Sequence, residues 1–350
     1  MTGLRLVILG LSLSSSWGNG HATTYRALVK GLVKRGHDVL FLERDVPWYA
    51  DNRDMPIPPF GRFALYDGLD DLKARFADKI RSADAVIVGS YVPEGVAVGL
   101  FVQETARGPV AFYDIDTPVT LAKLARGDFE YLSPKLIPGY DLYLSFTGGP
   151  TLRRLESDYG APAARALYCS VDPDLYRPTG ETPHWDLGYL GTYSDDRQPV
   201  LDRLLLEPAR RRPDLGFVVA GPQYPASIIW PDNVERIEHL SPPEHPSFYA
   251  RSRWTLNVTR AAMVAAGWSP SVRLFEAAAC GAPIVSDAWD GLHDIFPPEA
   301  IRVVHATEDV IAVLHETDEA ERQRVTTAAR EHVLACHSGS ARAAELEAYL

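Results

Sequence analysis

Residues 4–43 read LRLVILGLSLSSSWGNGHATTYRALVKGLVKRGHDVLFLE. The run from about Arg5 to Leu9 is short and apolar, as a strand buried on both faces of a parallel sheet must be. Ser14, Ser15, Ser16, Gly18, Asn19 and Gly20 then make a loop. An amphipathic stretch from about Ala22 to Arg35 predicts a helix, and Gly36 stops it. His37 to Glu43 returns to strand, with Val39, Leu40, Phe41 and Leu42 apolar in succession. Strand, loop, helix, strand is a βαβ unit, and its crossover makes the two strands parallel.

Outward from this unit the alternation continues. Helices are expected over 72–82, 95–106 and 151–159, and strands over 85–89, 110–113 and 142–146. Pro173, Pro178, Gly180 and Pro183 interrupt a polar stretch and mark a linker. After it the pattern restarts. Strands are expected over 187–190, 217–220, 254–258 and 283–286, and helices over 200–209, 246–251 and 272–280. The fold class that follows is α/β, with two doubly wound, Rossmann-like domains facing a cleft. The expected divisions are 1–172, 173–335 and a final helix over 336–350.

Length and composition agree. The 350 residues suit about two domains. Hydrophobic residues at 46% and charged residues at 23% exclude disordered and fibrous classes. The net charge of −11 argues against a nucleic-acid partner. The cysteines Cys169, Cys280 and Cys336 show no metal-knuckle spacing, and no zinc set forms from the histidines around them. The opening apolar run is too short for a membrane span of about 20 residues and reads as a strand rather than a signal peptide. A cytoplasmic protein without a transmembrane segment is expected.

In doubly wound sheets ligands sit beyond the carboxyl ends of the strands. Trp17, Gly18, Asn19, Gly20 and His21 follow the first strand, where glycine lets the backbone come close to a ligand and the helix offers free amides. His21 is either a base or a helix-capping residue. Asp114 and Asp116 follow the strand at 110–113. A carboxylate there can orient a histidine, or Asp116 can simply cap the next helix. Gly191, Thr192, Tyr193 and Gly221 close strands of the second half. Arg197, Arg260 and Arg273 are candidate anion ligands, with Asn257 near the strand edge by Arg260.

The most informative motif runs Ser269-Pro270-Ser271-Val272-Arg273-Leu274-Phe275-Glu276-Ala277-Ala278-Ala279-Cys280-Gly281-Ala282-Pro283. A Ser/Pro/Ser turn enters a helix at Val272, whose first amides suit a diphosphate. Glu276 lies one turn on, on the same face as Val272, where it can accept both hydroxyls of a ribose.

This stretch resembles the donor-nucleotide motif of GT-B glycosyltransferases. Cys169-Ser170-Val171-Asp172 through Tyr176-Arg177-Pro178 resembles the same group's inter-domain segment, with Ser170 for a glycine and Tyr176 for a phenylalanine. The chain is most similar to the CgeB-like, spore-maturation glycosyltransferases. Many relatives carry a glutamate where this chain has Trp268, so contact with the donor sugar must differ. The resemblance implies transfer of a sugar from a nucleoside-diphosphate sugar, UDP-linked among the options, to an acceptor hydroxyl. It implies an acceptor side in the first domain and a donor side in the second. It makes His21 the base and Asp114 or Asp116 its orienting carboxylate. Helix amides and arginines would stabilise the leaving diphosphate without a metal, and no cofactor beyond the co-substrate is expected. The acceptor and the oligomeric state stay open. Alternatives on the same fold are a nucleotide-sugar epimerase and a catalytically degenerate nucleotide- or sugar-binding protein. A pyridoxal-dependent phosphorylase is disfavoured, since no lysine follows Lys135.

Overall fold

The computed structural model describes residues 3–17 and 20–350. It divides into one unit formed by residues 1–172 with 338–350, and a second formed by residues 173–337.

The first unit is a seven-stranded sheet. Its strands are β1 (Arg5–Gly10), β2 (Asp38–Arg44), β3 (Arg62–Tyr66), β4 (Ala85–Gly89), β5 (Val110–Asp114), β6 (Leu142–Ser145) and β7 (Ala164–Ala166). They lie in the order β3-β2-β1-β4-β5-β6-β7, all pairs parallel. The continuous apolar runs have a simple cause. Val7, Leu9, Leu40, Leu42, Val86 and Val88 enter the core on one face of the sheet. Leu6, Ile8, Val39, Phe41, Ala85 and Ile87 enter the core on the other. Successive side chains of a strand point to opposite faces, so a strand covered on both must be apolar at every position.

The helix after β1 is His21–Lys34, one residue ahead of the expected start at both ends. The final helix, Gly339–Tyr349, packs on it. Ala343 and Leu346 are buried there beside Leu28 and Leu32. Glu347 bonds both Arg35 and His37, and these contacts fasten the chain end to the first unit. A fully buried leucine contributes about 2 kcal/mol, more than the exposed ion pairs around it.

The second unit repeats the plan. Its strands are β8 (Trp185–Leu190), β9 (Phe217–Ala220), β10 (Val234–Ile237), β11 (Ser252–Asn257), β12 (Ile284–Asp287) and β13 (Arg302–Val304). Their order is β10-β9-β8-β11-β12-β13, again parallel. In both sheets the order reverses at the first strand of the unit. The crevice at such a switch point, beside β1 and β4 or beside β8 and β11, is where this architecture holds ligands.

Four strands lie outside the expected set: β3, β7, β10 and β13. All flank their sheets or stand next to the edge, and they read RFALY, ARA, VERI and RVV. A half-covered edge strand needs no continuous apolar run, so its sequence lacks the signature. The helix expected over 200–209 spans 198–211 and is broken by a π turn at Asp202–Leu206. Pro208 has no N–H to give and its ring crowds the carbonyl four residues back, which the wider turn relieves.

Candidate functional site

At the switch point of the first unit, the loop after β1 is braced from below. Glu43, the last acidic residue of the apolar β2 run, is fully buried. Its carboxylate accepts from the Leu13 amide at 2.6 Å, the Ser14 amide at 3.0 Å and the Ser14 hydroxyl at 2.6 Å. Burial raises its pKa against those bonds. Asp54 accepts from the Ser16 amide and from both terminal nitrogens of Arg26, each at 2.8 Å. Burial pushes the Asp54 carboxyl up, but the Arg26 and Ser16 bonds outweigh it and hold it at about 2. Charge-assisted bidentate pairs of this kind are the strong ones. The loop is therefore a fixed platform that delivers Trp17, 54% exposed, and then His21. Gly20 sits at the cap position before the helix, without a side chain to cap it. Gly18 and Asn19 lie outside the described residues.

His21 is the first helical residue and is half-buried. Desolvation lowers its imidazole to about 4, so it is neutral at pH 7. Its ring stacks on Tyr91, with centroids 5.7 Å apart and planes 28° apart. The Tyr91 hydroxyl donates to Asp116 at 2.9 Å. Asp116 thus reaches the histidine through a tyrosine rather than by a direct hydrogen bond. It also occupies the cap position of the helix Thr117–Ala125. Asp114 is turned inward and fully buried. It accepts from the Tyr143 hydroxyl at 2.6 Å and the Thr120 hydroxyl at 2.7 Å. Burial raises its carboxyl to about 6 against those bonds.

These two shifts give a pH prediction with opposite signs. The His21 pKa lies below its unfolded value, so between about 6.5 and 4 the unfolded chain binds more protons and acid destabilises the fold. The Asp114 pKa lies above its unfolded value, so between about 6 and 4 the folded chain binds more protons and acid stabilises it. In the wild type the two largely offset. His21→Ala removes the first alone. Its stability relative to wild type is expected to improve by roughly 2 kcal/mol between pH 7 and pH 4.5. Asp114→Asn should show the reverse trend. Urea denaturation at the two pH values checks both, and parallel curves for all three proteins would contradict the assignment.

At the switch point of the second unit, Asn257 ends β11 fully buried. Its carbonyl oxygen accepts from Ser271 Oγ at 2.7 Å and from Arg273 Nη1 at 2.9 Å. Its amide nitrogen donates to Thr259 Oγ1 at 3.1 Å and Ser286 Oγ at 2.9 Å. Asn257 therefore knits the ends of β11 and β12 to the helix Val272–Ala279. The Ser271 hydroxyl goes to Asn257, and no side chain caps that helix. Ser269 and Pro270 are buried beneath the turn that enters it.

Arg273 is only 7% exposed. Its Nε donates to the Leu190 carbonyl at 2.5 Å, and its guanidinium lies 4.7 Å over the Tyr189 ring. Gly191 is what admits it: a Cβ there would fall 2.6 Å from Arg273 Nη2. Gly221, at φ +140°, lets β9 end against the Gly191 carbonyl, where a Cβ would stand 2.1 Å away. Arg197 donates to the Thr192 carbonyl at 2.6 Å and Ser194 Oγ at 2.9 Å. Desolvation, with Arg273 and Arg260 nearby, pulls its pKa down. Arg260 stands 3.6 Å from Asp196. An open pocket of about 620 Å³ is lined by Tyr193, Ser194, Asp195, Asp196, Arg260 and Ala261. Tyr193 lies edge-on to Tyr224, which donates to the Gly191 carbonyl at 3.0 Å. The three arginines thus share one neighbourhood, with Asp196 beside Arg260.

Val272 opens the helix, but Glu276 points into the protein, 4% exposed. It accepts from the Tyr249 hydroxyl at 3.3 Å and lies 3.6 Å from His245. Trp268 takes a left-handed backbone, φ +44°, and its indole N–H donates to Asp294 at 2.6 Å. Sequence reasoning passed over Glu43, Asp54 and the Asp114 partners Thr120 and Tyr143. An acid closing the apolar β2 run is a legible signal for Glu43; the Asp54 and Tyr143 contacts are distant in sequence.

Residues 197–348 match the model of the glycosyl transferase-like family. No curated protein matches the chain in sequence. Among solved structures, it is similar to sucrose-phosphate synthase from Thermosynechococcus elongatus, at 14% identity over 99% of this chain and 98% of that one, TM-score 0.73. It is also similar to Anabaena HepE in complex with UDP-glucose, at 11% identity over 99% and 100%, TM-score 0.68. A third is the E. coli trehalose-6-phosphate protein bound with UDP-2-fluoro glucose, at 12% identity over 99% and 98%, TM-score 0.66. No helix among the described residues is long and apolar enough to cross a membrane. The chain thus has the GT-B fold of two Rossmann-like domains, and within it residues 197–348 match the glycosyl transferase-like family model.

Proposed function

We propose that this protein is a glycosyltransferase that moves a sugar from a nucleoside-diphosphate sugar, with UDP as the nucleotide, to an acceptor hydroxyl. The observation that carries the reading is the set Arg197, Arg260 and Arg273 at the second switch point, beside an uncapped helix start, within the glycosyl transferase-like residues. Cations and helix amides fixed before the ligand arrives stabilise a leaving diphosphate without reorganisation. They supply the charge a metal would, so the reaction is metal-independent in this reading. Gly191, Thr192, Tyr193 and Gly221 border the diphosphate and the base. Glu276 turns from Tyr249 to the ribose hydroxyls when the donor binds. The first unit takes the acceptor on the platform that carries Trp17 and Gly20. His21, neutral at pH 7, takes the acceptor proton as the hydroxyl attacks the anomeric carbon.

A thermal-shift screen against UDP, GDP, dTDP and ADP, with and without Mg²⁺, tests the donor side. A ligand at about a hundred times its dissociation constant adds roughly 2.7 kcal/mol to the folded state. UDP is expected to raise the melting temperature equally in both buffers. Absence of any nucleotide effect would sink the reading, and a shift seen only with Mg²⁺ would sink its metal-free form.

A further inference from the structure

Tyr91 is the second residue after β4, next to β1 at the switch point. Its φ is +63°, a left-handed backbone that side-chain-bearing residues rarely adopt. Bulky residues held this way mark places where the surrounding structure demands one side-chain direction. Here that direction is evident. One ring face stacks on His21, the hydroxyl donates to Asp116 at 2.9 Å, and Tyr131 lies 4.7 Å away, centroid to centroid. Tyr131 is itself fixed by Thr120 at 2.8 Å.

We propose that Tyr91 is the positioning residue of the His21 imidazole: its ring, clamped by Asp116 and backed by Tyr131, sets the plane of the histidine and shields one face from water. The proposal rests on His21 being the base. It replaces the usual histidine–carboxylate hydrogen bond by a stacked ring that carries the carboxylate on its far end. Two consequences follow. The imidazole is oriented without losing a ring nitrogen to the carboxylate, so both nitrogens stay available to acceptor and solvent. Its protonation depends on whether the ring is in place. The titratable group in contact with the imidazole is Tyr91, with Asp116 and Tyr131 behind it on the far side of its ring; Asp114 is turned inward to Tyr143 and Thr120. Burial and Asp116 keep the Tyr91 hydroxyl protonated, and hence a donor, throughout the range in which His21 titrates.

The test is NMR titration of the His21 Cε1 proton in the full chain, assigned by its absence from His21→Gln. In wild type the resonance is expected upfield, from the ring current of Tyr91, and titrating well below the ordinary imidazole range. Tyr91→Gly removes the ring and also relieves the left-handed backbone, so the variant should fold. It should lose the upfield shift and titrate near about 6.5. Tyr91→Phe keeps the ring but frees it from Asp116, and should move His21 part of the way. If His21 titrates unchanged in both folded variants, the proposal is wrong. If Tyr91→Gly does not fold, Tyr91→Phe decides alone by the same criterion. The readout needs no substrate, so a failure of the glycosyltransferase reading would show in the nucleotide screen and not here.

Discussion

His21→Ala is expected to lower turnover about 10²- to 10⁴-fold, the ordinary contribution of a positioned general base. UDP affinity should be unchanged, because the residues proposed to hold the donor lie in the other unit. The fold should survive. The His21 side chain makes no hydrogen bond among the described residues, and its loss leaves no buried partner unsatisfied. Its desolvation costs stability in acid, so removing it relieves a penalty below pH 6.5 rather than creating one. The measurement is steady-state turnover beside calorimetric titration with UDP. A variant with wild-type turnover would remove His21 from the mechanism. Loss of UDP binding with turnover would place it in the donor site instead.

Arg273→Ala is expected to fail in two ways at once. The guanidinium donates to the Leu190 carbonyl and to Asn257 Oδ1 in a setting only 7% exposed. Hydrogen bonds to a charged group are worth about 1.5–3 kcal/mol each, and the part-buried Leu190 carbonyl and the buried Asn257 oxygen, the latter keeping Ser271, lose a charged donor together. A destabilisation on the order of 3 kcal/mol should follow, read as a lower urea midpoint. UDP affinity should fall about tenfold to a hundredfold, the loss of one charge-assisted contact. Arg273→Lys should rescue neither effect fully, because a single ammonium cannot reach both acceptors and stack on Tyr189. Folded Arg273→Ala with unchanged UDP affinity would make the residue a strut and leave the diphosphate to Arg197 and Arg260.

Much of this architecture was legible because both sheets are buried on two faces. That burial forces unbroken apolar runs at Leu6–Leu9, Val39–Leu42 and Phe217–Ala220, and the glycines and helix starts after them mark the ligand edge. Edge strands such as VERI escaped, since half-covered positions impose no such pattern. The candidate residues were legible as types around the helix starts that follow strands: His21, Arg273 and Glu276 stand in the first two turns of such helices, and Asp116 caps another. Their partners were not. Asp114 faces Tyr143, and Glu276 faces Tyr249, across sequence separations that no local pattern encodes.

Local sequence determined the alternation of strands and helices, the two-fold repetition of one plan, and the loops that follow the strands, because propensity and periodicity act within a few residues of chain. Only the tertiary structure decided which loops meet. The reversal of strand order sets the end of β1 beside β4 and the end of β8 beside β11, and so places Tyr91 under His21 and Arg273 against Asn257. The burial, stacking and charge of those pairs depend on distance in space, which the linear chain does not carry.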